Sequence, residues 1–148
     1  MMKKFLSYVL AMMLVFCILP MTANAAEEVE KNYLPDGSYY TVQLNLAQTR
    51  ASTSGNKTYT YYNSAGEEGF QVVLSGSFNY TGSSATCTSS SVDVSISDSA
   101  WYVISRSSGK SGNKATASVT MGERVAGATV MKVPVNLTLS CDANGKLS

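Results

Sequence analysis

The chain contains no histidine among its 148 residues. Histidine is the usual base beside a nucleophilic serine or cysteine, so Ser-His-Asp and Cys-His arrangements are excluded. Zinc sites that depend on histidine are excluded with them. We therefore predict that the protein is not an enzyme, with no catalytic residue, no metal site and no cofactor.

Charged residues are scarce as well, at 14% of the chain, and the formal net charge is +1. No basic cluster is present, which argues against nucleic acid or an anionic membrane surface as a partner. Serine and threonine are abundant instead. This composition is typical of an exported all-β domain whose outer faces carry hydroxyl groups.

A single long hydrophobic run lies at the N-terminus, over residues 5–19. Two lysines precede it, and Ala-Asn-Ala ending at Ala25 gives the small-x-small pattern that signal peptidase recognises. The run is shorter than the ~20 residues that a membrane-spanning helix needs. We predict a signal peptide over residues 1–25, cleavage between Ala25 and Ala26, and a secreted protein that is not held at the membrane.

The mature chain shows strand patterns and no helical period. Residues 26–36 are charged and non-periodic, which predicts a flexible arm. In FQVVLSGSFNY, residues 70–80, apolar and polar side chains alternate, which indicates one buried and one wet face. About seven such strands over residues 37–148 predict an all-β fold, a single small antiparallel β-sandwich.

Three local features refine this prediction. Gly76, on the inner face of its strand, indicates a bulge or a close approach of backbone. Pro134 cannot donate to a ladder, so its strand is expected at a sheet edge or to be bulged. The segment RSSGKSGNK, residues 106–114, is predicted to be a loop.

Removal of the signal peptide would leave two cysteines, Cys87 and Cys141. An even pair in an exported domain predicts a disulfide bond. Cys87 has the opposite parity to Val92, Val94 and Ile96, so an inward Cys87 requires a bulge near residues 89–91. The order cysteine, Trp101, cysteine also suggests an indole packed against the disulfide, as in immunoglobulin domains.

Tyrosines cluster near the first predicted hairpin, where alternate side chains must face outward. Exposed tyrosines among hydroxyl groups can stack on sugars or contact a protein. Core packing and ordinary β-propensity are the favoured explanation of the cluster. We take Tyr59 and Tyr61 as the candidate binding residues if the cluster faces outward. The members of the cluster are Tyr39, Tyr40, Tyr59, Tyr61 and Tyr62.

Four stretches, KTYTYYNSAG, GSFNYTGSSATC, SGNKATASVTM and LTLSCDANGKLS, together resemble a family of small exported proteins of Gram-positive Firmicutes that has no assigned function. The resemblance covers about Asn56 to Ser148. It implies bacterial export and one β domain with a cysteine pair. It implies no activity, substrate or site.

The function that these observations favour is a non-enzymatic extracellular module that binds a glycan or another protein. A monomer or weak homo-oligomer is expected. The alternative is a bacteriocin-like or toxin-like secreted antagonist. A hydrolase that uses carboxylates without histidine is the weakest reading, since no pair of carboxylates has a spacing that flanks a glycosidic bond.

Overall fold

The structure is a computed structural model that describes residues 29–49 and 51–148. The predicted signal peptide and its cleavage site lie outside the described residues. Eight β-strands form the described part. They are β1 Val29–Tyr33, β2 Tyr39–Gln48, β3 Ser52–Tyr62, β4 Glu68–Tyr80, β5 Ala85–Ile96, β6 Trp101–Ser111, β7 Lys114–Val125 and β8 Ala128–Ser140.

The strands form two antiparallel sheets in which sequence neighbours are also spatial neighbours. The large sheet has the order β1-β2-β3-β4-β5, and the small sheet has the order β6-β7-β8. Their inner faces share one hydrophobic core. The predicted all-β sandwich is therefore confirmed, with eight strands where about seven were expected. Among the described strands, each sheet is a simple antiparallel meander without the Greek-key connections of immunoglobulin domains.

The strand that sequence reasoning missed is β1. The predicted flexible arm is wrong for Val29–Tyr33, which pairs in register with β2 from Val29 opposite Gln43 to Tyr33 opposite Tyr39. The turn between them is fixed by Asp36, whose carboxylate accepts hydrogen bonds from the Ser38 amide and hydroxyl. These bonds hold the pKa of Asp36 below its usual value.

The predicted alternation in β4 is confirmed. Phe70, Val72, Leu74 and Phe78 are all fully buried. Gly76 lies between them, and a β-carbon there would stand 3.1 Å from the Leu139 side chain of the opposite sheet. The close approach expected at this glycine is therefore real, since the two sheets touch here.

The predicted loop over residues 106–114 is wrong. Strand β6 continues to Ser111, and a tight turn of Gly112 and Asn113 leads directly into β7. Serine, glycine and lysine suggested a loop, but β6 is exposed along nearly its whole length. Polar side chains are therefore compatible with a strand at this position.

Trp101 does not pack against the cysteines. Its ring centroid lies 4.9 Å from that of Tyr61 and 4.7 Å from that of Phe70. Cys87 instead pairs with Phe78, which follows Phe70 on β4 by about 26 Å of strand at ~3.3 Å per residue. The indole and the cysteines therefore belong to opposite ends of the sandwich.

Two expectations about strand irregularity are confirmed. Ser77 pairs with Ser89 and Phe78 with Cys87, so Thr88 is the extra residue of a β-bulge. This bulge, one residue before the expected range, turns Cys87 into the core. Pro134 lies on β8, which is an edge of the small sheet.

The large sheet is two strands wider than the small sheet, and the two additional strands, β1 and β2, both lie on the β8 side. Strand β8 contacts β3 and β4, β7 contacts β4 and β5, and β6 contacts β5 most closely. Within the described residues, the backbones of β1 and β2 come within 8 Å (Cα to Cα) of no strand of the small sheet. We call the inner face of these two strands the overhang.

Candidate functional site

The two tyrosines predicted to bind a ligand are in the core. Tyr59 is 7% and Tyr61 is 3% exposed. Both rings stack on Phe70, with centroids 6.0 Å and 5.2 Å away. The outward orientation that a binding role requires is wrong for both, and core packing is what the structure shows, because their parity on β3 is the one that faces the small sheet.

The tyrosines that do face outward lie one register row away. Tyr33, Tyr39 and Tyr62 are cross-strand partners on β1, β2 and β3. The Tyr39 and Tyr62 rings stack at 4.7 Å, and Tyr33 lies tilted against Tyr39 at 5.5 Å. We call these three residues the tyrosine row. Tyr33 is 69% exposed at its end.

A lysine completes this surface. The Lys31 ammonium lies 3.8 Å from the Tyr39 ring centroid and 4.9 Å from that of Tyr33. Interaction with the Tyr33 hydroxyl raises the pKa of Lys31, so the cation persists at neutral pH. Lys31 and Tyr33 were placed in the predicted flexible arm, which is why they were not considered as site residues.

The rest of this outer face carries hydroxyl, amide and carboxylate groups. The Gln71 amide donates to the Thr60 hydroxyl at 3.3 Å. The Ser97 hydroxyl donates to the Glu68 carboxylate at 2.7 Å. Polar groups are therefore held in place beside the tyrosine row.

A second concave surface lies between the sheets, beneath the overhang. It encloses about 540 Å³ and has mostly apolar walls. Tyr40 and Tyr59 form part of one wall, and their rings stack at 4.7 Å. Burial raises the pKa of the Tyr59 phenol, which stays neutral. We call this space the interlayer cleft; it is lined by Leu34, Tyr40, Val42, Tyr59 and residues 131–137 of β8.

Cys87 and Cys141 are both buried free thiols in the structure. Their backbones meet the same turn: the Cys87 amide donates to Gly112 at 2.8 Å, and the Cys141 amide donates to Asn113 at 3.0 Å. Burial raises the pKa of both thiols, so neither is activated as a nucleophile. The disulfide between them stays a prediction.

No group of three or more cysteine, aspartate or glutamate side chains able to hold a metal ion occurs in residues 29–49 and 51–148. In the same ranges, no helix is long and apolar enough to cross a membrane.

No protein-family model matches the chain, and no curated protein matches it. Among solved structures, the chain is similar to a hypothetical protein, lmo2686, of Listeria monocytogenes EGD-e, determined by crystallography at 2.75 Å. The identity is 13% and the TM-score 0.47, over 82% of this chain and 91% of the other. The resemblance to an exported Firmicutes family stays a prediction.

Proposed function

We propose that the protein is a secreted, non-enzymatic module that binds a glycan on the outer face of its large sheet. The observation that carries this proposal is the tyrosine row with Lys31 beside it. An open aromatic ring stacks on the apolar face of a sugar, while neighbouring polar groups bond its hydroxyls. Tyr33 would provide the ring, since it is the most exposed of the three tyrosines.

The remaining residues of the surface would position and supplement that ring. Tyr33 packs tilted against Tyr39, which is itself stacked on Tyr62, so these contacts would hold the Tyr33 ring in place before a ligand arrives. Lys31, over the Tyr39 ring, offers a donor, and Glu68, the cross-strand partner of Tyr62, offers an acceptor. Rigid aromatic area reduces the entropy that binding would otherwise cost.

Export and a Cys87–Cys141 disulfide belong to the same proposal. The bond would join the large sheet to the segment that follows β8, next to the turn that both cysteines contact. Closing a loop of about 55 residues would remove roughly 4 kcal/mol of unfolded-state freedom. For a small domain outside the cell, that stabilisation is comparable with the whole free energy of unfolding.

The test compares binding to insoluble peptidoglycan and to soluble starch, xylan and mucin glycans by pull-down and affinity electrophoresis. We expect a Tyr33→Ala, Tyr62→Ala double variant to bind about tenfold more weakly. Tyr102→Ala is the matched control, because Tyr102 is also a partly exposed tyrosine beside a cation, with Arg124 at 4.5 Å on the small sheet. Equal loss in both variants, or none in the double variant, would remove the tyrosine row from the site.

A further inference from the structure

We propose that the interlayer cleft is a docking site for an extended peptide strand of a partner protein, which adds to the free edge of β8. The overhang extends past the free edge of β8. Within the described part, no strand lies beside that edge and opposite the overhang. A strand placed there would become a fourth member of the small sheet. It would also cover the half-buried apolar side chains of Tyr40, Val42 and Leu44.

The direction of the β8 backbone groups follows from three hydrogen bonds. Ser140 exchanges both backbone bonds with Ser148, at 2.9 and 3.0 Å, on the side away from β7. The Lys57 ammonium donates to the Thr138 carbonyl at 3.2 Å on that same side. Backbone groups alternate between the two sides of a strand, so Asn136, Pro134 and Lys132 also direct theirs to the free edge.

Residues 146–148 already pair with part of the free edge of β8. They lie alongside the end of β8 in an antiparallel arrangement, with Leu147 bridged to Cys141 and Ser148 paired with Ser140. The Leu147 side chain is 4% exposed and fits under β3, where a β-carbon on Gly55 would stand 2.7 Å from it. The edge therefore already holds extended backbone with an apolar side chain turned between the sheets.

The free edge beyond Ser148 is continuous with that short pairing. Ser148 lines a pocket of about 440 Å³ that shares Val42 with the interlayer cleft. A strand in the cleft would thus extend the pairing that Ser148 begins. From Thr138, whose carbonyl already accepts from Lys57, to Lys132 the edge is seven residues long, or about 23 Å.

Charge and width define the occupant further. Lys57 stands at the Thr138 end of the edge, and Lys132 stands at the other end. A strand with an acidic residue at each end would pair with these two lysines. Apolar residues at alternate positions would face the apolar walls of the interlayer cleft. A second copy joined symmetrically through β8 does not fit, since ten strands of two large sheets would have to cover six of two small ones.

The test uses a synthetic peptide, Glu-Val-Thr-Val-Thr-Val-Glu, labelled for fluorescence anisotropy and titrated against the mature protein. A second peptide has the same side chains but carries N-methyl groups on the amides that would face β8. We expect saturable binding of the first peptide, and binding of the second that is about tenfold weaker or more. Equal binding of the two peptides, or none of the first, overturns the proposal.

Two variants locate the peptide. Val42 and Val94 are half-buried in the same cross-strand row of the large sheet, on its two sides. Val42→Asp is expected to weaken binding about tenfold or more, while Val94→Asp, with a similar cost to the fold, leaves it unchanged. An equal effect of both variants, or a dimer of the free protein in sedimentation velocity that the peptide does not dissociate, would contradict a peptide site in the cleft.

Discussion

Ala126 has a φ of 49° and is the single non-glycine residue with positive φ in residues 29–49 and 51–148. With Gly127, at a φ of 84°, it forms the two-residue turn between Val125 and Ala128. A hairpin turn with positive φ at both positions favours Asn-Gly, because asparagine tolerates the left-handed region better than alanine does.

We therefore expect Ala126→Asn to raise the free energy of unfolding by about 0.5–1 kcal/mol, measured by urea titration. Ala128→Asn is the control, since Ala128 is exposed and adjacent but in ordinary strand conformation. Asparagine is disfavoured in strands, so this variant should be neutral or slightly less stable. Stabilisation by Ala128→Asn of the same size would show that backbone strain at Ala126 is not the cause.

The tyrosines of β3 show why the sequence alone does not determine which side chains of a strand face the core. Alternation on β3 divides its tyrosines into two sets, and the pattern alone does not say which set is inside. Thr58 and Thr60, on the outward side, are themselves buried. Polarity therefore gave no contrast between the faces, and the set with Tyr59 and Tyr61 was assigned to solvent although it faces the core.

The strands with strong alternation were predicted well, and those without it were not. Strand β4 lies inside the large sheet, and its alternating sequence predicts it correctly because one of its faces is fully buried. Strands β1 and β6 are edges whose side chains are mostly exposed, so burial imposes no pattern on them. Their positions are set by pairing with β2 and β7, which local sequence does not encode. The tyrosine row depends on β1 and so could not be predicted in full.

Pro134 provides a test of strand β8. It lies opposite Thr120 at a position whose backbone groups face the free edge, so its missing N–H costs the ladder with β7 nothing. We expect the amides of Lys132 and Asn136 to exchange hydrogen quickly, and those of Val133 and Val135 to be protected.

Pro134→Thr would add one donor to the free edge. We expect unchanged stability and peptide binding that is about three- to tenfold tighter, as one more backbone hydrogen bond implies. Asn136→Thr keeps its N–H and serves as the control. A large gain in stability with no change in peptide affinity would instead place the Pro134 nitrogen on the β7 side.

At the scale of the whole molecule, the unequal sheets account for both proposed binding surfaces. Five strands over three leave β1 and β2 uncovered on the inside, which creates the interlayer cleft. The same two strands, with β3, carry the tyrosine row on their outer face. The opposite side is closed, where the Lys110 ammonium donates to the Thr88 carbonyl at 2.7 Å. The two proposed binding surfaces and the closed side thus lie on different sides of one sandwich.

The cysteine pair would act on this whole molecule, and its effect depends on pH. Burial raises the pKa of Cys87 and Cys141 in the reduced protein. Above the unfolded thiol pKa of ~8.5, the unfolded chain releases protons that the folded chain retains, so the stability of the reduced protein falls as pH rises. A disulfide has no proton to lose. All other titrating groups are common to both forms, so the difference in stability isolates the cysteines.

We expect exported protein to have a mass two hydrogens below the reduced value and to resist alkylation after unfolding. Its free energy of unfolding should exceed that of the reduced protein by about 4 kcal/mol at pH 7. That gap should widen at pH 10, because only the reduced form loses stability there. A Cys87→Ser, Cys141→Ser variant should have the same free energy of unfolding under reducing and oxidising conditions, at pH 7 and at pH 10. Two alkylated thiols in the exported protein would refute the bond, and a gap that narrows with pH would contradict the burial of the thiols.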